Sequence, residues 1–139
     1  MSATTLPDLT VGSSIGEVRK QTGFDNWNRF AAVNYEFVPI HMDDEAGRAA
    51  GMPGAFGPGN MLITYLHALV RDWMGEHGRL TALSAQFRQP NTKGEIVLGG
   101  DVVSVDREGA DTVVHLEIWA RDADGAPLTP GQAVVRFAT

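Results

Sequence analysis

Hydrophobic and polar residues alternate along several segments in the second half of the chain. In residues 79–90 the hydrophobic positions Leu83, Ala85 and Phe87 are separated by single polar residues. Three further segments of this kind follow, in residues 94–109, 111–125 and 131–139. Because successive side chains of a strand point to opposite faces of a sheet, the pattern predicts four antiparallel strands. Glu-Gly and Asp-Gly pairs between segments predict short turns.

The first half carries a different pattern, with short helices after one short strand in residues 14–20. Residues 24–34 space their hydrophobic positions as one face of a helix, with Asp25 as a candidate N-cap. Residues 43–51 predict a second short helix, because acids lie in its first turn and Gly51 follows its end.

A loop and a long apolar helix join the two halves. The loop, residues 52–60, holds two prolines and three glycines, which favour sharp turns and close approach of other groups. The helix, residues 61–75, is hydrophobic around most of its circumference and must therefore be wrapped by other elements. We expect one two-layer α+β domain over residues 1–139, with a free sheet edge that favours dimerisation.

Composition narrows the function classes. The 139 residues include 11 Lys and Arg against 17 Asp and Glu, for a net charge of -6. Nucleic-acid binding draws on clustered basic residues, so we expect no nucleic-acid partner. The absence of cysteine excludes disulfides and thiolate chemistry. The first ten residues lack the pattern of a signal peptide and no apolar stretch is long enough for a bilayer, so we expect a cytoplasmic protein without a membrane partner.

The segment from Ile40 to Leu62, followed by an apolar helix and four strands, resembles the MaoC-like dehydratases. These are the (R)-specific 2-enoyl-CoA hydratases of the hot-dog fold, in which an antiparallel sheet wraps one central apolar helix. The resemblance covers about residues 25–139. The positions that match the family's layout are Pro39, Ile40, His41, Asp43, Ala50, Gly51, Pro53 and Gly59.

The motif also departs from the family's usual Ser-Gly-Asp-x-Asn-Pro-x-His. Glu36 stands where the family has its catalytic Asp, five residues before His41. Val38 replaces the Asn, and Asn34 and Tyr35 replace the Ser-Gly pair. One catalytic residue is therefore conservatively replaced, and the polar groups around it are fewer.

The resemblance implies a lyase that hydrates a 2-enoyl-CoA or dehydrates a 3-hydroxyacyl-CoA, with no metal or cofactor. Glu36 and His41 would be the acid/base pair, which must lie within hydrogen-bond reach of one water. The backbone N–H of Gly59 would stabilise the enolate oxygen, with Asn60 in its place if the register shifts by one. Misplacing the longer Glu36 side chain by about 1 Å can cost on the order of a hundredfold in rate.

The residues expected to contact the rest of the substrate are predicted from less specific patterns. Tyr65 on the central helix is a candidate for lining the acyl pocket. Arg88 and Lys93, with Gln89 and Asn91 beside them, are candidates for binding the CoA phosphates. The alternative for these four is a solvated strand edge protected by charge.

Structural explanations compete with the catalytic ones. His41 could instead cap the following helix or bond to Asp43, and Glu36 could be a surface residue. Asp43 and Asp44 are most simply helix N-terminal acids. His67, His77 and His115 have no partner at metal-ligand spacing, so we expect no metal site. We assign three large aromatic residues of the second half to the core: Trp73, Phe87 and Trp119.

Two other functions stay open. The departures at Glu36 and Val38 allow a non-catalytic hot-dog subunit that supports a partner chain, and a hot-dog acyl-CoA thioesterase would share the scaffold. The loop and helix entry over residues 58–67 also resembles a divergent actinobacterial branch in which some members act on bulky acyl-CoAs and some pair with a related chain. We expect a homodimer, a higher homo-oligomer or a paired MaoC-like chain.

Overall fold

The computed structural model describes residues 5–138 and shows a five-stranded antiparallel sheet packed against a long helix. Residues 1–4, within the segment read above for a signal peptide, and Thr139, at the end of the last predicted strand, lie outside the described part. In chain order the elements are β1 (Ser14–Thr22), α1 (Phe24–Asn34), a 3-10 turn (Pro39–His41), α2 (Asp44–Ala49), α3 (Gly59–Met74), a second 3-10 turn (Gly75–His77), β2 (Gly78–Ala85), β3 (Gly94–Glu108), β4 (Asp111–Asp122) and β5 (Pro127–Phe137).

The strands lie in the order β1-β3-β4-β5-β2, and every neighbouring pair is antiparallel. β3, β4 and β5 form two successive hairpins, whereas β1 and β2, which precede them in the chain, form the two edges of the sheet. The predicted strands are confirmed with shifted ends, since β2 and β4 end before their predicted segments and β5 begins earlier, at Pro127. β2 ends at Ala85, because Gln86 and Arg88 donate their backbone N–H groups to Pro130 and Leu128 in a less regular path.

The long helix α3 fills the concave face of this sheet. Its buried residues are Met61, Leu62, Leu66, Leu69 and Val70. They pack on inward side chains of the strands such as Leu98, Leu116 and Val135. Burying each such side chain contributes roughly 1.5–3 kcal/mol relative to leaving it in water. The predicted helix is therefore confirmed as the centre of the core, and it ends at Gly75, whose φ of 65° suits glycine.

A second, smaller cluster lies beside the start of α3. Trp27 from α1, Ala55 from the loop and Met61 from α3 are its buried members. This cluster holds α1 and the glycine-rich loop against the first turn of α3, beside which the sequence analysis predicts the active site.

Two side chains, Asp25 and Trp119, lie elsewhere than the sequence analysis expects, whereas Trp73 lies as predicted. Asp25 is not the N-cap of α1, because the helix begins one residue earlier with Gly23 as the cap, and Asp25 lies in its first turn. Trp73 packs against the core as predicted, with its ring centre 5.8 Å from that of Phe137. Trp119 is only half-buried, under the guanidinium of Arg121. No helix in residues 5–138 is both long and apolar enough to cross a membrane.

Candidate active site

The segment between α1 and α2 presents Glu36 and His41 on the two sides of a tight turn. α1 ends where Tyr35 takes a left-handed conformation with φ of 56°. The Glu36 N–H then bonds back to the Ala31 carbonyl at 3.1 Å, and Pro39 begins the 3-10 turn that ends at His41. Because proline presets its backbone angle, the turn is short and well defined. The two candidate catalytic residues are therefore fixed by local backbone structure.

Glu36 and His41 line one cavity of about 420 Å³ together with the first residues of α3. The structure thus brings together five of the predicted site residues, which are Glu36, His41, Gly59, Asn60 and Arg88. The other lining residues are Phe56, Gly57, Pro58, Leu62, Phe87, Gln89, Pro90, Asn91 and Thr129.

His41 is held in one tautomer by a backbone carbonyl. Its Nδ1 lies 2.6 Å from the carbonyl oxygen of Phe56. Because a carbonyl can only accept, Nδ1 carries the hydrogen and Nε2 is left with the lone pair of the neutral ring. The Phe56 N–H in turn donates to the Ile40 carbonyl at 3.1 Å, and the Phe56 ring packs edge-on against the imidazole. The bond to Asp43 considered above is replaced by this one, since the Asp43 carboxylate caps α2.

Glu36 has a polar partner that the sequence analysis did not assign to it. The Asn60 side-chain amide donates to Glu36 Oε1 at 3.4 Å. Asn60 was predicted only as a neighbour of the oxyanion-binding N–H. Val38 offers no polar side chain, so Asn60 is the donor placed to orient this carboxylate.

The first turn of α3 offers unpaired backbone donors. Pro58 is the N-cap and gives no side-chain hydrogen bond. Within residues 5–138, the Gly59 and Asn60 N–H groups have no acceptor, as expected for a helix start. The Phe87 ring lies over Gly59, and a Cβ at position 59 would come within 2.9 Å of it. Glycine at position 59 therefore permits this close approach, and a larger residue would require the Phe87 ring to move.

Phe87 does not belong to the core, contrary to the prediction. Its side chain is 54% exposed, because β2 ends two residues earlier and the strand alternation that predicted burial no longer applies. It forms part of the cavity wall instead. The alternating sequence gave no signal that the strand would stop before Phe87.

Three of the predicted substrate-binding residues, Arg88, Lys93 and Tyr65, lie in three different places. Arg88 lines the cavity and donates to Gln86 Oε1 at 2.7 Å. Lys93 lies outside the cavity and pairs with Asp44 at 2.6 Å. Tyr65 also lies outside the cavity, packed between the two hydrophobic clusters, with Lys20 Nζ 4.6 Å from its ring centre.

Three buried polar atoms near the cavity have no hydrogen-bond partner among residues 5–138. They are Trp27 Nε1, Asn91 Oδ1 and Thr129 Oγ1. Asn91 and Thr129 also line the cavity. The sequence analysis named Asn91 only as a phosphate-binding candidate and missed Thr129, since neither burial nor the lack of a partner is visible in a sequence.

The remaining histidines are scattered. His67, His77 and His115 are all exposed and lie on α3, on the second 3-10 turn and on β4. In the described part of the chain, no three His, Asp or Glu side chains are grouped so that they could hold a metal ion.

Comparison with known proteins defines the class of this fold. Neither a protein-family model nor a curated protein matches the sequence significantly. The structure has the hot-dog fold in the form of the MaoC-like dehydratases and (R)-hydratases, which confirms the predicted fold class.

Three crystal structures represent the likeness. A chain of the ChsH1-ChsH2 complex from Mycobacterium tuberculosis matches with a TM-score of 0.81 and 16% identity. The match covers 92% of this chain and 98% of that one. The (R)-hydratase from A. caviae involved in PHA biosynthesis has a TM-score of 0.79 and 24% identity, covering 91% of this chain and 96% of its own. A MaoC-like dehydratase from Rhodospirillum rubrum has a TM-score of 0.79 and 17% identity, covering 94% of this chain and 93% of its own. At these identities the likeness establishes the fold, and activity must be argued from the site.

Proposed function

We propose that this chain is a MaoC-like hydratase or dehydratase that acts on a 2-enoyl-CoA or 3-hydroxyacyl-CoA thioester. One observation carries the proposal: Glu36 and His41 line the same cavity as the unpaired N–H groups at the start of α3. An acid/base pair opposite backbone donors is what addition of water to a conjugated thioester needs.

In the hydration direction, Glu36 takes a proton from the water whose oxygen attacks C3. His41 Nε2 accepts the other hydrogen of that water and orients it, because Nδ1 is engaged by Phe56. The electron pair of the double bond moves to the thioester oxygen, where the Gly59 N–H stabilises the enolate. Protonated Glu36 then delivers its proton to C2, so water is added across the bond and the enzyme returns to its starting state. Dehydration is the reverse.

The surroundings of the cavity support a thioester with a long carrier. A second groove of about 860 Å³ continues from the cavity and shares its wall at residues 88–90. The cavity would take the thioester and the start of the acyl chain, and the groove the remainder of the ligand. Arg88 lies where the two meet and is exposed, which suits contact with a CoA phosphate.

The direct test uses the purified protein with short, long and polycyclic 2-enoyl-CoAs, followed by loss of the conjugated enoyl-thioester absorbance. We expect turnover with at least one acyl class, and Glu36→Gln or His41→Ala should each lower kcat by at least about a hundredfold. Both variants should keep the melting temperature of the wild type within a few degrees.

Matched controls separate catalysis from folding. Glu45→Gln and His67→Ala remove the same chemical groups from exposed positions on α2 and α3 and should leave kcat unchanged. A loss of stability that parallels the loss of activity in Glu36→Gln or His41→Ala would contradict the catalytic assignment. Release of free thiol from a saturated acyl-CoA would indicate a thioesterase instead.

The comparison with the ChsH1-ChsH2 complex favours a second candidate, a hot-dog subunit that supports a partner chain. The replacement of the family's Asp and Asn by Glu36 and Val38 is consistent with such a role. Full hydratase activity of the chain purified alone would exclude it. A folded chain that is inactive with every thioester, and that activates a second hot-dog chain, would establish it.

A further inference from the structure

Asp44, the first residue of α2, joins three segments around the candidate site. Its carboxylate accepts two hydrogen bonds from Lys93 Nζ, at 2.6 and 2.8 Å, and a third from the backbone N–H of Ala55, at 2.9 Å. These bonds tie α2 to the glycine-rich loop and to the segment that leads into β3. We name the three residues Asp44, Ala55 and Lys93 the Asp44 clasp.

The clasp acts on the part of the loop that holds His41. Ala55 directly precedes Phe56, whose carbonyl accepts the hydrogen of His41 Nδ1 at 2.6 Å. After Phe56, the Gly57 N–H donates to the Asn91 carbonyl at 2.7 Å. The loop is therefore pinned on both sides of the carbonyl that fixes the imidazole, and the Asp44 bond to Ala55 is one of these two anchors.

Close packing makes the loop position depend on α2. Gly47 in α2 lies against the backbone of Gly54 and Ala55, so closely that a Cβ at position 47 would collide with it. A Cβ at position 54 would come within 2.8 Å of the Asp44 carboxylate. Movement of α2 would therefore be passed on to the loop.

The Lys93 ammonium is committed to the clasp. Besides its two bonds to Asp44, it lies 4.3 Å from the ring centre of Phe24. The Lys93 ammonium and the Ala55 N–H hold the pKa of the Asp44 carboxyl below its usual range, so Asp44 is charged at neutral pH. Lys93 thus neutralises the Asp44 carboxylate, which accepts the hydrogen bond from the Ala55 N–H.

We propose that Asp44 and Lys93 are positioning residues that fix the Phe56 carbonyl and, through it, the tautomer and orientation of His41. The inference rests on the proposed function for the role of His41 in turnover, but the positioning itself is a structural property. An isolated ion pair on a protein surface contributes little to stability. If the Asp44–Lys93 pair did no more than that, breaking it would leave the imidazole of His41 unaffected.

The test measures His41 directly by ¹⁵N NMR of the imidazole nitrogens in the whole chain, with the His41 signals assigned by their loss in His41→Ala. In the wild type at neutral pH we expect the pattern of a ring protonated at Nδ1. Asp44→Ala removes both the ion pair and the Ala55 acceptor and should give a mixture of tautomers. Asp44→Asn keeps an acceptor for Ala55 and should show a smaller change, and Lys93→Gln should resemble Asp44→Asn.

Kinetics give a second measurement. Asp44→Ala should lower kcat by about tenfold with a change in KM of less than about twofold, because the imidazole is misplaced while Asp44 itself lines neither the cavity nor the groove. The control is Arg19→Gln, which removes an exposed ion pair to Glu95 of similar length, 2.7 Å, on β1 and β3. It should change neither the His41 spectrum nor kcat.

The outcomes distinguish this inference from the proposed function. An unchanged His41 spectrum in folded Asp44→Ala or, if that variant does not fold, in Lys93→Gln would overturn the clasp even if the enzyme is active. A changed spectrum in a wild type that turns over no thioester would support the clasp and contradict the proposed function.

Discussion

At the scale of single residues, the contact between Asn60 and Glu36 gives this carboxylate a hydrogen-bond donor from outside its own segment. The Asp of the family is supported by polar neighbours in its own motif, whereas Glu36 receives a hydrogen bond from the first turn of α3. The longer carboxylate and its donor therefore belong together, and replacing one should change the effect of replacing the other.

The first residue-scale prediction concerns Asn60. Asn60→Asp keeps the side chain's shape, removes the donor to Glu36 and places a second carboxylate beside it, so kcat should fall by about tenfold or more. Steady-state kinetics and the melting temperature measure the two effects. Thr64→Ala, which removes a 2.9 Å bond to the Asn60 carbonyl on the same helix, is the control and should have a much smaller effect. If Asn60→Asp retains wild-type kcat, Asn60 does not orient Glu36.

A second residue-scale prediction uses the unpartnered hydroxyl of Thr129. The side chain is 0% exposed and its Oγ1 has no hydrogen-bond partner, which costs stability. Thr129→Val should therefore raise the free energy of unfolding by about 1 kcal/mol, measured by urea denaturation. Thr81→Val provides the contrast, because Thr81 Oγ1 donates to the Val134 carbonyl at 3.1 Å and its removal should not stabilise the protein. Destabilisation by Thr129→Val would show that the hydroxyl finds a partner in solution.

At the scale of secondary-structure elements, the strands and α3 could be predicted because their periodicity is local. The candidate pair could also be found, since Glu36 and His41 lie five positions apart in one motif. The contacts that complete the site could not be predicted from the sequence, because they join positions far apart in the chain. His41 meets Phe56 across 15 positions, Asn60 meets Glu36 across 24, and Lys93 meets Asp44 across 49.

The packing of the glycine-rich loop gives an element-scale prediction. A Cβ at Gly57 would collide with Asn91 Oδ1 and Trp27 Nε1, both buried, whereas a Cβ at Gly59 would meet the half-exposed ring of Phe87, which can move outward. Gly57→Ala should therefore lower the free energy of unfolding by about 1–3 kcal/mol more than Gly59→Ala. Denaturation curves of the two variants measure the difference, and equal losses would show that the buried pair yields as easily as Phe87.

At the scale of the whole molecule, the Asp44 clasp should make stability depend on pH. The folded-state pKa of Asp44 is lowered, so its contribution is fully present above the unfolded-state pKa and is lost as pH falls through the folded-state value. Asp44→Asn should therefore melt at a lower temperature than the wild type at pH 7, with the difference shrinking below about pH 4. Melting curves across this range test the sign. A difference that grows on acidification would contradict it.

The short distance along the chain between Glu36 and His41 has an evolutionary consequence. Both lie in a segment of six residues that is shaped mainly by its own backbone bonds and contributes no residue to the main hydrophobic core. After duplication of such a gene, a few substitutions in this segment would silence one copy while its sheet and helix stayed intact. A hot-dog scaffold of this kind can therefore give rise to a catalytic copy and a silent copy that share one fold.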